Sequence, residues 1–168
     1  MASTSLPSCS TSASSSQVWN YDVYLSFRGR DTRYTFVDHL HAALRQRGIC
    51  TFIDTESLTH GAHTARSFSK AISESRIAVV VLSKNYADSR RCLNQLAMIT
   101  HMKKEIDQIV IPIYYHVDPS DVQKQTGTYE EAFLKHELIN SENVEFWRKA
   151  LEELNSHPGW VLNKDPYR

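Results

Sequence analysis

Short apolar runs alternate along the chain with segments of helical periodicity, and this alternation restricts the fold more than any other feature. The run Ile77–Leu82 (IAVVVL) contains no polar residue, which is typical of a strand buried on both faces of a sheet. Strands that alternate with helices indicate a parallel sheet with right-handed crossovers. The sequence therefore predicts an α/β fold with a five-stranded parallel sheet flanked by helices. Its strands are expected at residues 21–27, 49–53, 77–82, 109–115 and 160–162.

The fourth run contains Pro112, which has no amide hydrogen to donate to a neighbouring strand. Taken alone, this proline predicts an edge strand or a bulge. Two capping boxes follow, Ser120–Gln123 and Thr128–Glu131, and each predicts the start of a short helix. Apolar residues at helical spacing predict the remaining helices, around 36–44, 68–72, 93–100 and 144–154.

Composition divides the chain into two parts and excludes several kinds of partner. Residues 1–17 are serine-rich and carry no charged side chain, which predicts a disordered tail before a single domain at 18–168. The chain has 19 basic and 19 acidic residues, so no overall positive field favours nucleic acid or an anionic membrane surface. No apolar stretch approaches the roughly 18 residues that span a bilayer. We expect no nucleic-acid or membrane partner.

In a parallel sheet, ligands bind beyond the carboxyl ends of the strands. The loops at those ends should contain Arg28–Gly29, Asp54–His63, Ser83–Cys92 and Tyr115–Pro119. The chain has neither GxGxxG nor GxxxxGK[ST], so a common phosphate-cradling loop is not predicted. Its cysteines show no CxxC spacing and its histidines are scattered, so no metal site is predicted.

Three segments of the chain resemble the plant Toll/interleukin-1 receptor (TIR) domain. The family motifs are S-F-R-G-x-D-T-R, S-x-N-Y-A-x-S-x-W-C-L-x-E-L and P-I-F-Y-x-V-D-P-S-x-V-R-x-Q. The corresponding segments read SFRGRDTR, SKNYADSRRCLNQL and PIYYHVDPSDVQKQ. The resemblance implies a flavodoxin-like fold in which the Pro112 strand lies inside the sheet.

The resemblance also implies a function and a set of site residues. Many members act in plant innate immunity, associate with themselves or with other TIR domains, and cleave NAD, which is a substrate and not a bound cofactor. The implied location is the cytoplasm, with the nucleus as an alternative. By resemblance, the residues that line the NAD site are Arg28, Gly29, Gly61 and Cys92, and those at association surfaces are Asp38, His39 and Trp147.

The chain departs from the family where the family has its catalytic glutamate. The motif W-C-L-x-E-L reads Arg91-Cys92-Leu93-Asn94-Gln95-Leu96, so both tryptophan and glutamate are absent. Cleavage of the nicotinamide bond develops positive charge on the ribose, which a carboxylate stabilises and an amide does not. Loss of one such group costs about 10²- to 10⁴-fold in rate. We therefore expect weak or absent NAD cleavage, with Gln95 as a solvated helix residue.

The sequence leaves two interpretations open for the roles of Arg28 and Cys92. Arg28 either holds a phosphate or ribose oxygen, or forms an ion pair with Asp31 or Asp54. Cys92 is either a buried apolar residue or a thiol whose pKa is lowered by neighbouring arginines and by its helix terminus. At 63 and 64 the chain has His63 and Thr64, which differ from the family beside the Gly61 loop.

Two functional classes follow: a non-catalytic TIR interaction module, and an active NAD hydrolase that uses another group. A phospho-acceptor receiver domain of similar topology is disfavoured, because only Asp54 is available at the strand ends.

Overall fold

The computed structural model describes residues 18–54, 64–139 and 141–163, and it shows five strands with helices between them. The strands are β1 (Tyr21–Phe27), β2 (Thr51–Ile53), β3 (Ser75–Leu82), β4 (Ile109–Tyr115) and β5 (Trp160–Leu162). The helices are α1 (Gly29–Thr32), α2 (Asp38–Gln46), α3 (Thr64–Ser73), α4 (Arg90–Ile106), α5 (Pro119–Lys124), α6 (Thr128–Ile139) and α7 (Val144–Asn155). A π-helical turn, Arg33–Val37, joins α1 to α2, and a 3₁₀ turn, Ser141–Asn143, precedes α7.

All five strands pair in parallel in the order β2-β1-β3-β4-β5. This is the flavodoxin-like order, in which the strand sequence reverses direction beside β1 and β3. The predicted α/β class and the five-stranded parallel sheet are thus confirmed. The second strand is shorter than expected, since pairing begins at Thr51, and the third is longer, since pairing begins at Ser75.

β3 is the central strand, and its side chains alternate between two apolar layers. Ala78, Val80 and Leu82 lie in the larger layer, together with side chains of α3, α4, α6 and α7. Val79 and Val81 lie in the smaller layer, against β1, β4 and the segment around α2. Burial on both faces explains why the run Ile77–Leu82 of this strand has no polar residue.

The expectation that the proline places β4 at an edge is wrong, because β4 lies between β3 and β5. Pairing with β5 begins only at Ile113, opposite Trp160. The Pro112 carbonyl oxygen faces Gly159, where an added Cβ would lie 2.3 Å from it. The amide nitrogen and the carbonyl oxygen of one strand residue point to the same side of the strand. An amide hydrogen at position 112 would therefore have pointed towards β5, just before the first residue of β5 that pairs with β4. The proline therefore removes no bond from the ladder to β3.

The helix starts follow local hydrogen bonding. Asp118 caps α5 through its side chain, which accepts from the Ser120 amide at 2.8 Å, and Pro119 occupies the first helical position. The helix therefore begins one residue before the predicted box at Ser120. Ser89 caps α4 in the same way, since its hydroxyl accepts from the Cys92 amide at 3.2 Å. This cap fixes the first turn of α4, which faces the carboxyl end of β1.

Candidate functional site

A cavity of about 340 Å³ lies beyond the carboxyl ends of β1 and β2, as expected for a parallel sheet. It is bounded by the end of β1, α1, the π-helical turn, the end of β2 and the first turns of α4. Its lining consists of Leu25, Phe27, Arg28, Gly29, Arg30, Arg33, Tyr34, Asp54, Ser89, Arg91, Cys92 and Gln95.

Gln95 lies at the inner end of this cavity and is only 3% exposed, so the expectation of a solvated residue is wrong. Its side-chain oxygen accepts from the Ser26 hydroxyl at 2.8 Å, and its side-chain nitrogen donates to Asp54 at 3.0 Å. A carboxylate can only accept hydrogen bonds, so the amide nitrogen must face Asp54. The neutral amide is therefore matched to both of its neighbours.

Asp54 is also held by Arg91. The Arg91 Nε donates to Asp54 Oδ2 at 2.8 Å, and Nη2 makes a further short contact with the same oxygen. The two side chains are 25% and 17% exposed, so water screens this pair less than a surface ion pair. The Arg91 guanidinium also lies 5.2 Å from the centre of the Phe68 ring. Arg91 thus neutralises the carboxylate among the described lining residues.

A buried polar chain continues behind Gln95. The Tyr86 hydroxyl lies 2.9 Å from Ser26 Oγ and donates to the backbone oxygen of Cys92 at 3.1 Å. Tyr86 and Ser26 are fully buried, and burial raises the pKa of Tyr86 well above its usual value. This chain ties the end of β1 to α4 and fixes the position of residue 95.

Arg28 enters the cavity from the end of β1, and its Nε is buried with no hydrogen-bond partner among the described residues. Neither Asp31 nor Asp54 forms the predicted ion pair with it, because other groups occupy both carboxylates. Asp31 accepts from the Ser83 hydroxyl at 2.6 Å and from the amide and side chain of Asn85 at 2.9 and 3.0 Å. Burial opposes ionisation of Asp31, but these hydrogen bonds, together with the charge of Arg28, outweigh it and hold its pKa below the usual value.

Cys92 is buried and 4% exposed, as the apolar interpretation predicted. Its Sγ lies 3.5 Å from the Phe27 carbonyl oxygen. Burial raises the pKa of the thiol to about 11, and this effect exceeds the opposing influence of Ser89, Arg28 and Arg91. The alternative of a reactive thiol with a lowered pKa is therefore wrong.

The predicted association residues lie in different environments. Asp38 and His39 are exposed on α2. Trp147 is 2% exposed, and its indole nitrogen donates to Asn94 at 3.1 Å. It therefore supports the packing of α7 on α4 and cannot itself touch a partner in this conformation. The exposed face of α7 contains Glu145, Phe146 and Lys149. Gly61 and His63 lie outside the described residues.

Reasoning from the sequence missed two parts of the site. Ser26 holds Gln95 from within β1, and its signal was a polar residue near the end of an otherwise apolar strand. Tyr34 lies on the cavity wall yet is 82% exposed, and no sequence pattern marked it. Within the described ranges, no group of three His, Cys, Asp or Glu side chains could hold a metal ion.

Together, the strand order and the position of the cavity define a flavodoxin-like α/β domain with a cavity at its strand ends. The family model of the TIR domain matches residues 20–166. The chain belongs to the TIR-domain family.

Relatives at the sequence level are plant disease-resistance proteins. The chain is 48% identical to disease resistance protein RPV1 of Vitis rotundifolia over 99% of its own length and 12% of the relative. It is 48% identical to TMV resistance protein N of Nicotiana glutinosa over 92% of its own length and 14% of the relative. The chain thus spans about an eighth of the length of these relatives.

A solved structure gives the same result. The chain matches the TIR domains of the activated Roq1 resistosome, which directly recognizes the pathogen effector XopQ. The TM-score is 0.78 and the identity 46%, over 88% of this chain and 90% of that one. The fold and the membership of the TIR-domain family are therefore shown. Within the described segments, no helix is both long and apolar enough to cross a membrane.

Proposed function

We propose that this chain is a TIR signalling module of plant innate immunity that acts by association, and that its cleavage of NAD is weak or lost. The partners would be further copies of the chain and other TIR domains. The setting would be the cytoplasm, with the nucleus as an alternative, and neither nucleic acid nor membrane would be bound.

The observation that carries this proposal is that the cavity contains no uncompensated carboxylate among the described lining residues. Gln95 cannot stabilise positive charge on a ribose, and it is locked between Ser26 and Asp54. Asp54 is compensated by Arg91 and is therefore a poor replacement. Removal of a single electrostatic or acid–base group costs about 10²- to 10⁴-fold in rate.

Association is supported by two exposed surfaces and by the relatives. Asp38 and His39 on α2 are open to solvent, as is the Phe146 side of α7, where Phe146 is 58% exposed. The similar Roq1 chains are the TIR domains of the activated Roq1 resistosome.

A second candidate function is NAD hydrolysis in which Asp54 takes the catalytic part. The observation in its favour is that the Asp54 carboxylate lines the same cavity, only 3.0 Å from the Gln95 amide. This function requires Arg91 to leave Asp54 when substrate binds.

One experiment separates the two candidates. Concentrated protein is incubated with NAD, nicotinamide release is followed, and light scattering reports the mass of the same sample. We expect the mass to rise with concentration and to fall back in the His39→Ala variant, while nicotinamide stays at background. Sustained nicotinamide release would establish the hydrolase. A monomeric mass at every concentration, unchanged in the variant, would refute the association module.

A further inference from the structure

The helices cover the two faces of the sheet unequally. Every helix from α3 onward contributes buried side chains to the larger apolar layer. Within the described residues, the smaller layer receives helical side chains only from the π-helical turn and α2. Helix α2 connects β1 to β2, at the opposite side of the sheet from β4 and β5. Parallel sheets normally carry helices on both faces, so the smaller-layer face of β4 and β5 lacks the cover that such a sheet requires.

The smaller-layer face of β4 and β5 exposes a row of apolar side chains. Ile109 is 46% exposed, and the alternation of side chains along a strand places it on the same face as Ile111 and Ile113. Trp160 is 70% exposed and pairs in register with Ile113, so its indole lies on this face too. Leu162 follows two residues later and is half-buried there. We call Ile109, Ile111, Trp160 and Leu162 the β4–β5 strip, and a contiguous exposed apolar surface commonly marks an interaction site.

The cover that fits this strip is a helix with one apolar side. A strand added at the free edge of β5 would extend the sheet sideways and leave the strip open. Residues 1–17, 55–63 and 164–168 lie outside the described ranges and contain only two leucines, Leu6 and Leu58, and no isoleucine, valine or phenylalanine. An apolar helix side needs such residues at every third or fourth position. In the 168-residue chain, the helix must therefore come from a second molecule.

Helix α6 has an apolar side that faces solvent. Its core side contains the buried Tyr129 and Phe133. Leu134 and Leu138 are 51% and 88% exposed, and they lie one turn apart on the outward side of the helix. Ile139, the last residue of the helix, is 75% exposed. This outward side is the kind of helix surface that packs on the face of a sheet.

The α6 side and the β4–β5 strip match in length but cannot meet within one molecule. The helical rise from Leu134 to Leu138 is about 6 Å. The distance from Ile109 to Ile111 along β4 is about 7 Å. The core side of α6 belongs to the larger layer, whereas the strip lies on the smaller-layer face, so the sheet separates them. Contact between two different surfaces of one chain joins copies head to tail.

We propose that the Leu134–Leu138 side of α6 packs on the β4–β5 strip of a second copy, so that copies of the chain associate head to tail. This inference rests on the proposed function, because it names a pair of surfaces for self-association. The exposed Trp160 indole is the anchor of the contact, since large aromatic side chains dominate protein interfaces.

The size of the contact predicts weak association. One aromatic side chain buries at most about 150–250 Å². With the few aliphatic groups around Trp160, the contact stays below the roughly 800 Å² per partner of a standard interface. The assembly therefore grows only as the protein concentration rises.

The test is analytical ultracentrifugation over a range of protein concentrations. Wild type reports whether the chain associates at all. The other proteins carry His39→Ala, which removes the separate contact expected at α2. In that background, Ile109→Lys disrupts only the strip, and Leu138→Lys disrupts only the α6 side. Val18→Lys is the matched control, because it adds the same charge at another exposed apolar residue.

We expect the His39→Ala protein and its Val18→Lys control to gain mass with concentration, beyond that of a dimer. Ile109→Lys and Leu138→Lys should each weaken this association by at least about 10-fold. Mixed in equal amounts, these two variants should form dimers and nothing larger, because one keeps the α6 side and the other keeps the strip. Melting temperatures check that the variants fold, and Trp160→Ala replaces Ile109→Lys if that variant is unstable.

Three results would overturn the proposal. A mixture that stays monomeric would exclude the head-to-tail contact, as would equal association of all variants. A His39→Ala protein that is monomeric at every concentration would exclude it too, while association of wild type in the same series would leave the proposed function intact. Monomeric wild type would refute the association module itself, and this contact with it.

Discussion

Replacement of Gln95 by glutamate is the most informative single change, because residue 95 touches Asp54 directly. In wild type the amide nitrogen donates to Asp54 Oδ2 at 3.0 Å. In Gln95→Glu a carboxylate oxygen takes the place of that nitrogen. Two like charges about 3 Å apart repel by about 5.5 kcal/mol at an effective dielectric constant of 20. Arg91, which contacts Asp54, offsets part of this repulsion.

The loss of stability in Gln95→Glu has an upper limit, because the new carboxyl group can take up a proton and donate a hydrogen bond to Asp54. Keeping a glutamic acid with an ordinary pKa of about 4.3 protonated at pH 7 costs about 3.7 kcal/mol. We therefore expect Gln95→Glu to lower the free energy of unfolding at pH 7 by about 1 to 4 kcal/mol. The pKa of the new carboxyl is raised in the folded state, so the folded protein binds the extra proton above pH 4.3. The loss should consequently grow as the pH rises and nearly vanish at pH 4.

The assay is urea unfolding of wild type and variant at pH 4, 5.5 and 7, followed by tryptophan fluorescence. Asn94→Asp is the matched control: it adds the same charge one residue earlier, at an exposed position, and keeps the acceptor for the Trp147 indole. Its effect should stay within about 0.5 kcal/mol. A Gln95→Glu penalty that is equal at all three pH values, or that grows towards pH 4, would refute the like-charge argument.

Three further experiments test the packing of β5, the burial of Cys92 and the role of residues 1–17. Gly159→Ala should destabilise the domain by about 1–3 kcal/mol in urea unfolding, because its Cβ would meet the Pro112 carbonyl oxygen at 2.3 Å; an unchanged midpoint would show that β5 shifts freely. The Cys92 thiol, buried and with a pKa raised to about 11, should resist iodoacetamide at pH 7 until urea unfolds the chain, and rapid labelling of Cys92 itself in the folded protein, located by peptide mass spectrometry, would contradict its placement. Deletion of residues 1–17 should change the melting temperature little, since their composition is uncharged and serine-rich; a large drop would show that they contact the domain.

The sheet could be predicted from the sequence because the apolar composition of its strands indicates that they are buried. The run Ile77–Leu82 is apolar throughout, and it is the central strand. The position of Pro112 could not be derived from local rules, because its harmless placement depends on where β5 begins. That is a property of two strands far apart in sequence.

The site was predicted in part, for a related reason. Arg28 and Cys92 line one cavity, as their places at the strand ends suggested, and Gln95 lines it too, at the position that the family resemblance indicated. The burial of Gln95 was not foreseen, since an amide on a helix is usually solvated unless distant partners meet it. Of those partners, Ser26 lies in β1 and Asp54 directly follows β2, both far from Gln95 in the sequence.

The central claim is that Gln95 and Arg91 together prevent NAD cleavage in this cavity, and nicotinamide release tests it most directly. Four proteins are compared at equal high concentration: wild type, Gln95→Glu, Arg91→Trp, and the double variant. Gln95→Glu supplies a carboxyl group but leaves Arg91 beside it, and Arg91→Trp uncovers Asp54 but leaves a neutral amide at position 95. In the double variant, the new carboxyl and Asp54 together keep at least one negative charge that Arg91 no longer compensates.

We therefore predict background release by wild type and little by either single variant. The double variant should exceed both, by up to about 10²- to 10⁴-fold over wild type. Robust turnover by wild type would contradict the claim outright. A silent double variant that folds normally would show that the two substitutions are not what separates this chain from an active NAD-cleaving domain.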